Sequence, residues 1–355
     1  MTVRAGTALQ TIQEAALEKD LIFPIDLGAR GTANIGGNVS TNAGGVQVIR
    51  YGMTRALIMG LEVVLADGTV ISTMNKMLKN NAGYDLKHLF IGAEGTLGVV
   101  TRVVLRLYPK PKSRCTALVA FNDFSDSVRL LGKLQKNLTG LVNSFEVMWD
   151  YYYDNVAPTV KTFTNPFTEK HKAYAIIEIS GNHQQRDMQL FEEFLSEQLE
   201  QEVITDVVIA QSDQQADNIW SVRHGIGDFG SSMPVINYDV SIPIGDMDNF
   251  AKALMKKLDA DYPHITTLLF GHIGDSNLHV VIGDYHESEF SALKDVVHVL
   301  TGEFNGSVSA EHGIGKLKTS YLSLSRSPEE IALMQLIKRS LDPNNILNPG
   351  RVIEC

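Results

Sequence analysis

Residues 28–45 read GARGTANIGGNVSTNAGG, six glycines and three asparagines with few side chains large enough to bury. Such a stretch follows tight paths and brings backbone N–H groups close to a ligand. Upstream, residues 7–19 are predicted to form an amphipathic helix, with Leu9, Ile12, Ala16 and Leu17 on one face and Thr7 as its N-cap. Downstream, residues 61–65 and 69–72 read as strands joined by the turn Ala66-Asp67-Gly68. Residues 97–107 alternate and are rich in β-branched side chains, so another strand is expected there. Pro109 and Pro111 then end the pattern, which places a domain boundary at that point.

From Cys115 onward strand and helix patterns alternate. Strands are expected over 116–121, 173–179, 203–210, 235–242, 265–270 and 278–282. Helices are expected over 189–199, with Leu190, Phe191, Phe194, Leu195 and Leu199 inward, and over 214–226 and 247–258. A last helix, 327–341, has Pro328 in its first turn. The class is α+β, with antiparallel sheets and helices on one side, and no internal repeat is visible.

A length of 355 residues suits two domains. The net charge of −10 argues against a nucleic-acid partner, whose phosphates it would repel. It leaves a small anionic substrate open, because a local arginine or metal overrides the global field. Two cysteines, Cys115 and Cys355, are no disulfide framework and fit a reducing, cytoplasmic compartment. Cys355, as the last residue, is not a prenylation box. No apolar run is long enough to span a bilayer, and the first residues lack a signal-peptide core. A peripheral membrane location is compatible with this.

The residues best suited to chemistry lie in GHIGDSNLH (271–279) and SVSAEHGIGK (307–316). An apolar strand runs into the first motif, and Gly271 and Gly274 permit a tight loop that brings His272 and His279 toward one centre. The second motif supplies Glu311 and, beside it, His312. Two histidines and a glutamate suit a divalent transition metal at an open site. Such an ion polarises a bound hydroxyl or carbonyl, and a nearby neutral histidine removes the proton. Hydrolysis by metal-bound water and oxidation of a metal-bound alcohol both remain open on these residues alone.

Two long stretches, GARGTANIGGNVSTNAGGVQVIRYGMTRALIMGLEVVLADGTVI (28–71) and NNAGYDLKHLFIGAEGTLGVVTRVVLRLYPKP (80–111), resemble the FAD-binding, linked-oxidase family. FGHIGDSNLH, SAEHGIGK and LDPNNILNPGR resemble its C-terminal motifs. This is the D-lactate dehydrogenase, glycolate oxidase and D-2-hydroxyglutarate dehydrogenase group of vanillyl-alcohol-oxidase-like flavoproteins. The resemblance implies part of a PCMH-type FAD-binding domain over 1–110. A ferredoxin-like substrate or cap domain would span 113–325, and a helical segment, 326–355, would return to the flavin domain. It implies FAD along Gly36, Gly37, Asn38, Thr41, Asn42, Ala43, Gly44 and Gly45, with Gly92, Glu94, Gly95, Thr96, Gly98 and Val99 packing on it mainly through backbone. Asn348 would reach back toward the flavin ring. His272, His279 and Glu311 would bind a metal, zinc in the dehydrogenases of this group. His312 would take the substrate hydroxyl proton and Arg223, in NIWSVRHG, would clamp its carboxylate.

The implied activity is oxidation of a D-2-hydroxy acid to the 2-oxo acid, with hydride passing to flavin N5. Electrons would leave to a quinone, a cytochrome or an electron-transfer flavoprotein, and a homodimer is compatible with this. Positions after Arg223 read His224, Gly225, Ile226 and Gly227, and Val281 is apolar where the hydroxyglutarate enzymes carry an amide. Both favour a substrate with a single carboxylate, such as lactate. The family's pyrophosphate-gripping glycine loop is not found before Met1, so an N-terminal FAD subdomain is expected to be missing from this chain or supplied by another. A non-catalytic fragment needing a partner, and a metal hydrolase, stand as alternatives.

Overall fold

A computed structural model describes residues 1–354, apart from the side chains of Asp228, Ser231 and Ser232. The chain forms two compact units. The first comprises Met1–Lys110 and Glu311–Cys355, the second Pro111–Ala310. The chain thus rejoins the first unit at Glu311, earlier than residue 326.

In the first unit, β1 (Thr2–Arg4), β3 (Ile58–Val64), β4 (Val70–Ser72) and β5 (Val99–Leu105) make an antiparallel sheet in the order β1-β5-β3-β4. A small ladder joins β2 (Leu21–Ile22) to β6 (Tyr108–Pro109). The helix Leu9–Leu17 buries Leu9, Ile12 and Ala16, but Leu17 is exposed and the N-cap is Ala8, not Thr7. Part of the glycine-rich stretch, for which no helix was expected, is helical. Residues Ile35–Thr41 are helical, because Ile35 and Val39, one turn apart, are fully buried in the core; that anchoring outweighs the low helix propensity of Gly36 and Gly37. Asn42 ends the helix in the left-handed conformation.

The same unit contains the helix Pro328–Leu341. Ser327 accepts from the Glu330 N–H and Glu330 returns a bond to the Ser327 N–H, with Pro328 in the first turn, where its missing N–H costs nothing. Buried Lys338 donates to Asp342, to Leu347 O at 2.8 Å and to Thr96 O at 3.0 Å, which ties the DPNNILNPGR tail down.

The second unit is a seven-stranded antiparallel sheet built from β7 (Cys115–Phe121), β8 (Val142–Trp149), β9 (Ala173–Ile179), β10 (Asp206–Ile209), β11 (Val235–Ser241), β12 (Thr266–His272) and β13 (Asn277–Gly283). Its order is β10-β7-β9-β8-β12-β13-β11. The topology contains a repeat that the sequence does not display. The first half runs β7, helix Phe124–Asn137, β8, β9, helix Gln184–Glu200, β10, in the ferredoxin-like order fourth-first-third-second. The second half runs β11, helix Met247–Asp261, β12, β13, helix Phe290–Glu303, and its fourth position is the single bridge of Ser307 to Ser241. The two halves join through their second strands, β8 and β12.

Helices cover both faces of this sheet rather than one. β7, β8, β9 and β13 are buried along their whole length; β7 and β9 are mostly apolar, whereas β8 also buries Asn143, Ser144 and Glu146, and β13 buries Asn277 and His279. Tyr174 stacks on Tyr153, and Glu178 accepts from Trp220 Nε1, so the helices Asp150–Val156 and Asp213–His224 lie on that face. On the other face Phe124 stacks on Trp149. The helix expected over 189–199 starts at Gln184, and Leu199 is exposed while Gln198 is buried. Cys115 is buried, and burial first, with Asp187 and Glu178 nearby, pushes its thiol up to about 11, which makes it unreactive. Cys355 lies outside the described residues. Among the described residues no helix is long and apolar enough to cross a membrane.

Candidate active site

The chemistry-bearing side chains of the second unit gather where its two half-sheets meet. β8 and β12 pair in a register that sets Glu146 opposite His272. β12 and β13 pair so that Phe270 faces His279. The strand β12 runs through His272, so the ring is fixed on a rigid element rather than in a loop. His272 and His279 come together with ring centroids 5.4 Å apart and planes at 81°, and His279 stacks on Phe270 at 4.9 Å. Both histidines are only 6% exposed, which separates them from ordinary surface imidazoles.

Glu146 organises this cluster. It is fully buried, pairs with His272 Nδ1 and accepts from Arg223 Nε at 2.8 Å. A carboxylate only accepts, so His272 Nδ1 carries a proton toward Glu146, which leaves Nε2 as the ring atom a metal would take. Burial works against ionising Glu146, but His272 and Arg223 outweigh it and hold the carboxyl at about 2. A folded-state value below the ordinary 4.5 means that the pairing stabilises the fold above that range and is lost as pH falls from there toward 2. Burial, reinforced by His272 and Arg223, pushes His279 well below its ordinary value against the pull of Asp239 and Glu146, so the ring is neutral at pH 7. A neutral ring is the ligating form.

Arg223 sits at the end of the helix Asp213–His224, its guanidinium 4.3 Å from the centroid of the Phe270 ring. The Tyr152 hydroxyl donates to Arg223 O at 2.9 Å and Val222 O at 3.1 Å, which holds the helix end in place. Glu146 was not anticipated from the sequence. Its signal is a lone carboxylate inside the apolar strand VNSFEVMW. Replacing Glu146 with Gln is expected to weaken metal binding by about 10- to 100-fold while sparing FAD, as read by metal titration and flavin absorbance. Replacing it with Ala leaves Arg223 buried without its counter-ion and should cost about 3–5 kcal/mol in a denaturation experiment.

In the first unit, Gly36, Gly37 and Asn38 lie on the helix Ile35–Thr41, and the Thr41 hydroxyl bonds back to Gly37 O at 3.2 Å. Asn42 Oδ1 accepts from the Arg55 N–H, and Ala43 O accepts from the Thr54 hydroxyl. Residues 92–96 fold over the end of this helix: Gly92 N donates to Val39 O at 3.0 Å and Glu94 N to Ser40 O at 2.8 Å. Thr96 closes its own turn on Ala93 O, Gly95 underlies the Asn348 amide, and Gly98 leads into β5, where Val99 is exposed.

The Glu94 side chain has a task the sequence did not disclose. It accepts from the N–H groups of Ile314 at 2.7 Å and Gly315 at 3.0 Å, and Arg351 Nη1 lies 3.4 Å away. Gly313, at φ +78°, provides the turn this needs, and a Cβ there would strike Glu94. Asn348 Nδ2 donates to Glu94 O at 2.6 Å, so the tail motif is held by the same residue. Glu311 accepts from the Gly45 N–H at 2.6 Å, where Gly45 adopts φ +113° and the adjoining Gly44 leaves room for the carboxylate. His312 follows it and is exposed.

Residues 110–352 match the family described as FAD linked oxidases, C-terminal domain, and residues 1–74 match the FAD binding domain family. The chain is 38% identical over 356 residues to "D-2-hydroxyglutarate dehydrogenase, mitochondrial" of Arabidopsis thaliana, covering 99% of this chain and 63% of that protein. It is 38% identical over 361 residues to the D-2-hydroxyglutarate dehydrogenase of Xanthomonas citri pv. viticola, covering 100% of this chain and 75% of that one. It thus spans less than two thirds of the plant relative's length. Among solved structures, alkyldihydroxyacetonephosphate synthase shares the fold, with a TM-score of 0.72 over 98% of this chain and 64% of that one at 15% identity. By these matches the chain belongs to the FAD-linked oxidase family.

Proposed function

We propose that this chain acts in the oxidation of a D-2-hydroxy acid to the 2-oxo acid, as a dehydrogenase using FAD and a divalent metal. The observation that carries the reading is the buried Glu146–His272 pair beside a neutral His279. A carboxylate on the far nitrogen of a histidine is the arrangement that orients metal-binding imidazoles. His272, His279 and Glu311 are assigned as ligands. The segment that ends at Ala310 is pinned on the edge of β11, with Ser307 N bonded to Ser241 O at 2.8 Å. For the flavin, Asn38 Nδ2 is buried with no hydrogen-bond partner inside the Gly/Asn stretch, a donor that an acceptor atom of FAD would satisfy.

When bound, FAD supplies the two-electron acceptor and a zinc-class ion the Lewis acid that acidifies the substrate hydroxyl. Arg223 keeps Nε on Glu146 and offers its two Nη groups to the substrate carboxylate. His312, exposed and therefore able to exchange protons with water, takes the hydroxyl proton. Phe270 packs against His279 and under the Arg223 guanidinium, which orients both groups.

Two sequence signals bear on the substrate in opposite directions. The relatives' names bring D-2-hydroxyglutarate forward, whereas apolar Val281 and the run His224 to Gly227 favour a single carboxylate. Matches over nearly the whole chain outweigh a few positions. A panel of D-2-hydroxy acids is expected to show a higher kcat/KM for D-2-hydroxyglutarate than for D-lactate; the reverse order would make Val281 the deciding residue.

A further inference from the structure

We propose that His264, His286 and Glu289 form a second divalent-metal site, on the surface of the second unit and separate from the buried histidine pair. Strand register brings them together. β12 and β13 pair as far as Thr266 with Gly283, so His264, just before this end of the ladder, and His286, just after it, emerge side by side. The end of the ladder is fastened by the Thr266 hydroxyl on Asp284 Oδ2 at 2.6 Å. The two rings stack with centroids 4.8 Å apart at 27°.

Glu289 completes the set. Its Oε2 accepts from the His286 N–H at 2.8 Å and lies 3.1 Å from His264 Nε2. One ligand atom from each residue lies within 4.8 Å of the others. The carboxylate is thus already held between the rings, and an ion entering there replaces the His264–Glu289 hydrogen bond. It also competes for the His286 ring, which accepts from the Glu289 N–H as part of a capping box. Two imidazoles and one carboxylate select zinc and copper over magnesium and calcium, which demand more oxygen ligands. Both histidines are exposed, so the remaining coordination positions go to water and loading is reversible.

The test uses the full chain, stripped with chelator and then equilibrated with Zn2+, and reads ions bound per chain. The expected result is one fewer ion on the His264→Asn/His286→Asn protein than on the unaltered one. If the buried pair also holds an ion, the count falls from two to one; if it does not, from one to none. The loss of one equivalent therefore stands apart from the fate of the proposed active site. The His286→Asn change preserves the helix cap, and both positions are exposed, so the variant keeps its fold. Competition should rank Cu2+ above Zn2+, with Mg2+ without effect. Equal counts for the two proteins, or displacement of Zn2+ by Mg2+, would overturn the proposal.

Discussion

Replacing His279 with Ala is expected to remove the active-site metal and lower turnover on the order of 1,000-fold, while FAD stays bound. The size follows from the several kcal/mol a Lewis acid contributes when a hydroxyl must be ionised, at about 1.4 kcal/mol per tenfold. Flavin should survive because the Gly/Asn stretch and the 92–99 segment, with their bonds to Val39 and Ser40, belong to the first unit, whereas His279 belongs to the second. The check is paired: metal content by elemental analysis, FAD by visible absorbance. Because His279 packs on Phe270, a denaturation curve should accompany both, and His279→Gln keeps most of the volume if the alanine protein is unstable. Full metal occupancy in either variant would remove His279 from the ligand set.

Replacing His312 with Asn should slow flavin reduction by about 100- to 10,000-fold, the usual contribution of a positioned general base, and leave metal content unchanged. The residue is exposed, so its loss should barely move stability. Raising the pH should restore part of the rate, since solvent hydroxide can then take the substrate hydroxyl proton in place of His312. An unchanged rate of anaerobic flavin bleaching would assign the proton transfer elsewhere.

The two outcomes separate the roles assigned to neighbouring residues. Glu311 and His312 are adjacent in sequence, yet the half-buried carboxylate is bonded to the Gly45 N–H while the imidazole is exposed. A metal-binding defect from the first and a proton-transfer defect from the second would follow from that difference in surroundings.

Much of the fold was legible because apolar periodicity reports burial. Ala173–Ile179 forms a strand over the whole expected range, and Ser327 and Pro328 mark a helix start through cap chemistry that is local in sequence. What escaped is non-local. The ferredoxin-like duplication leaves no sequence repeat, because strand order depends on which ladders pair and not on residue identity. Helix formation at Ile35–Thr41 was hidden by glycines whose propensity is overridden by two buried side chains. The histidines and Glu311 stood out beside the glycines of their motifs, but the partners of Glu146 are hidden until β8 is set beside β12. Glu94 likewise reads as one acidic residue in a turn until Ile314 and Gly315 bring their N–H groups to it.

Metal and flavin are proposed to act together on a D-2-hydroxy acid. The most direct measurement is anaerobic flavin absorbance of the FAD-loaded protein after D-2-hydroxyglutarate is added, with and without prior chelation. The expected result is rapid bleaching with one 2-oxo acid formed per flavin, lost after chelation and restored by Zn2+. Bleaching at the same rate in the chelated protein, or an unchanged spectrum in the metal-loaded, flavin-loaded protein across a panel of D-2-hydroxy acids, would contradict it.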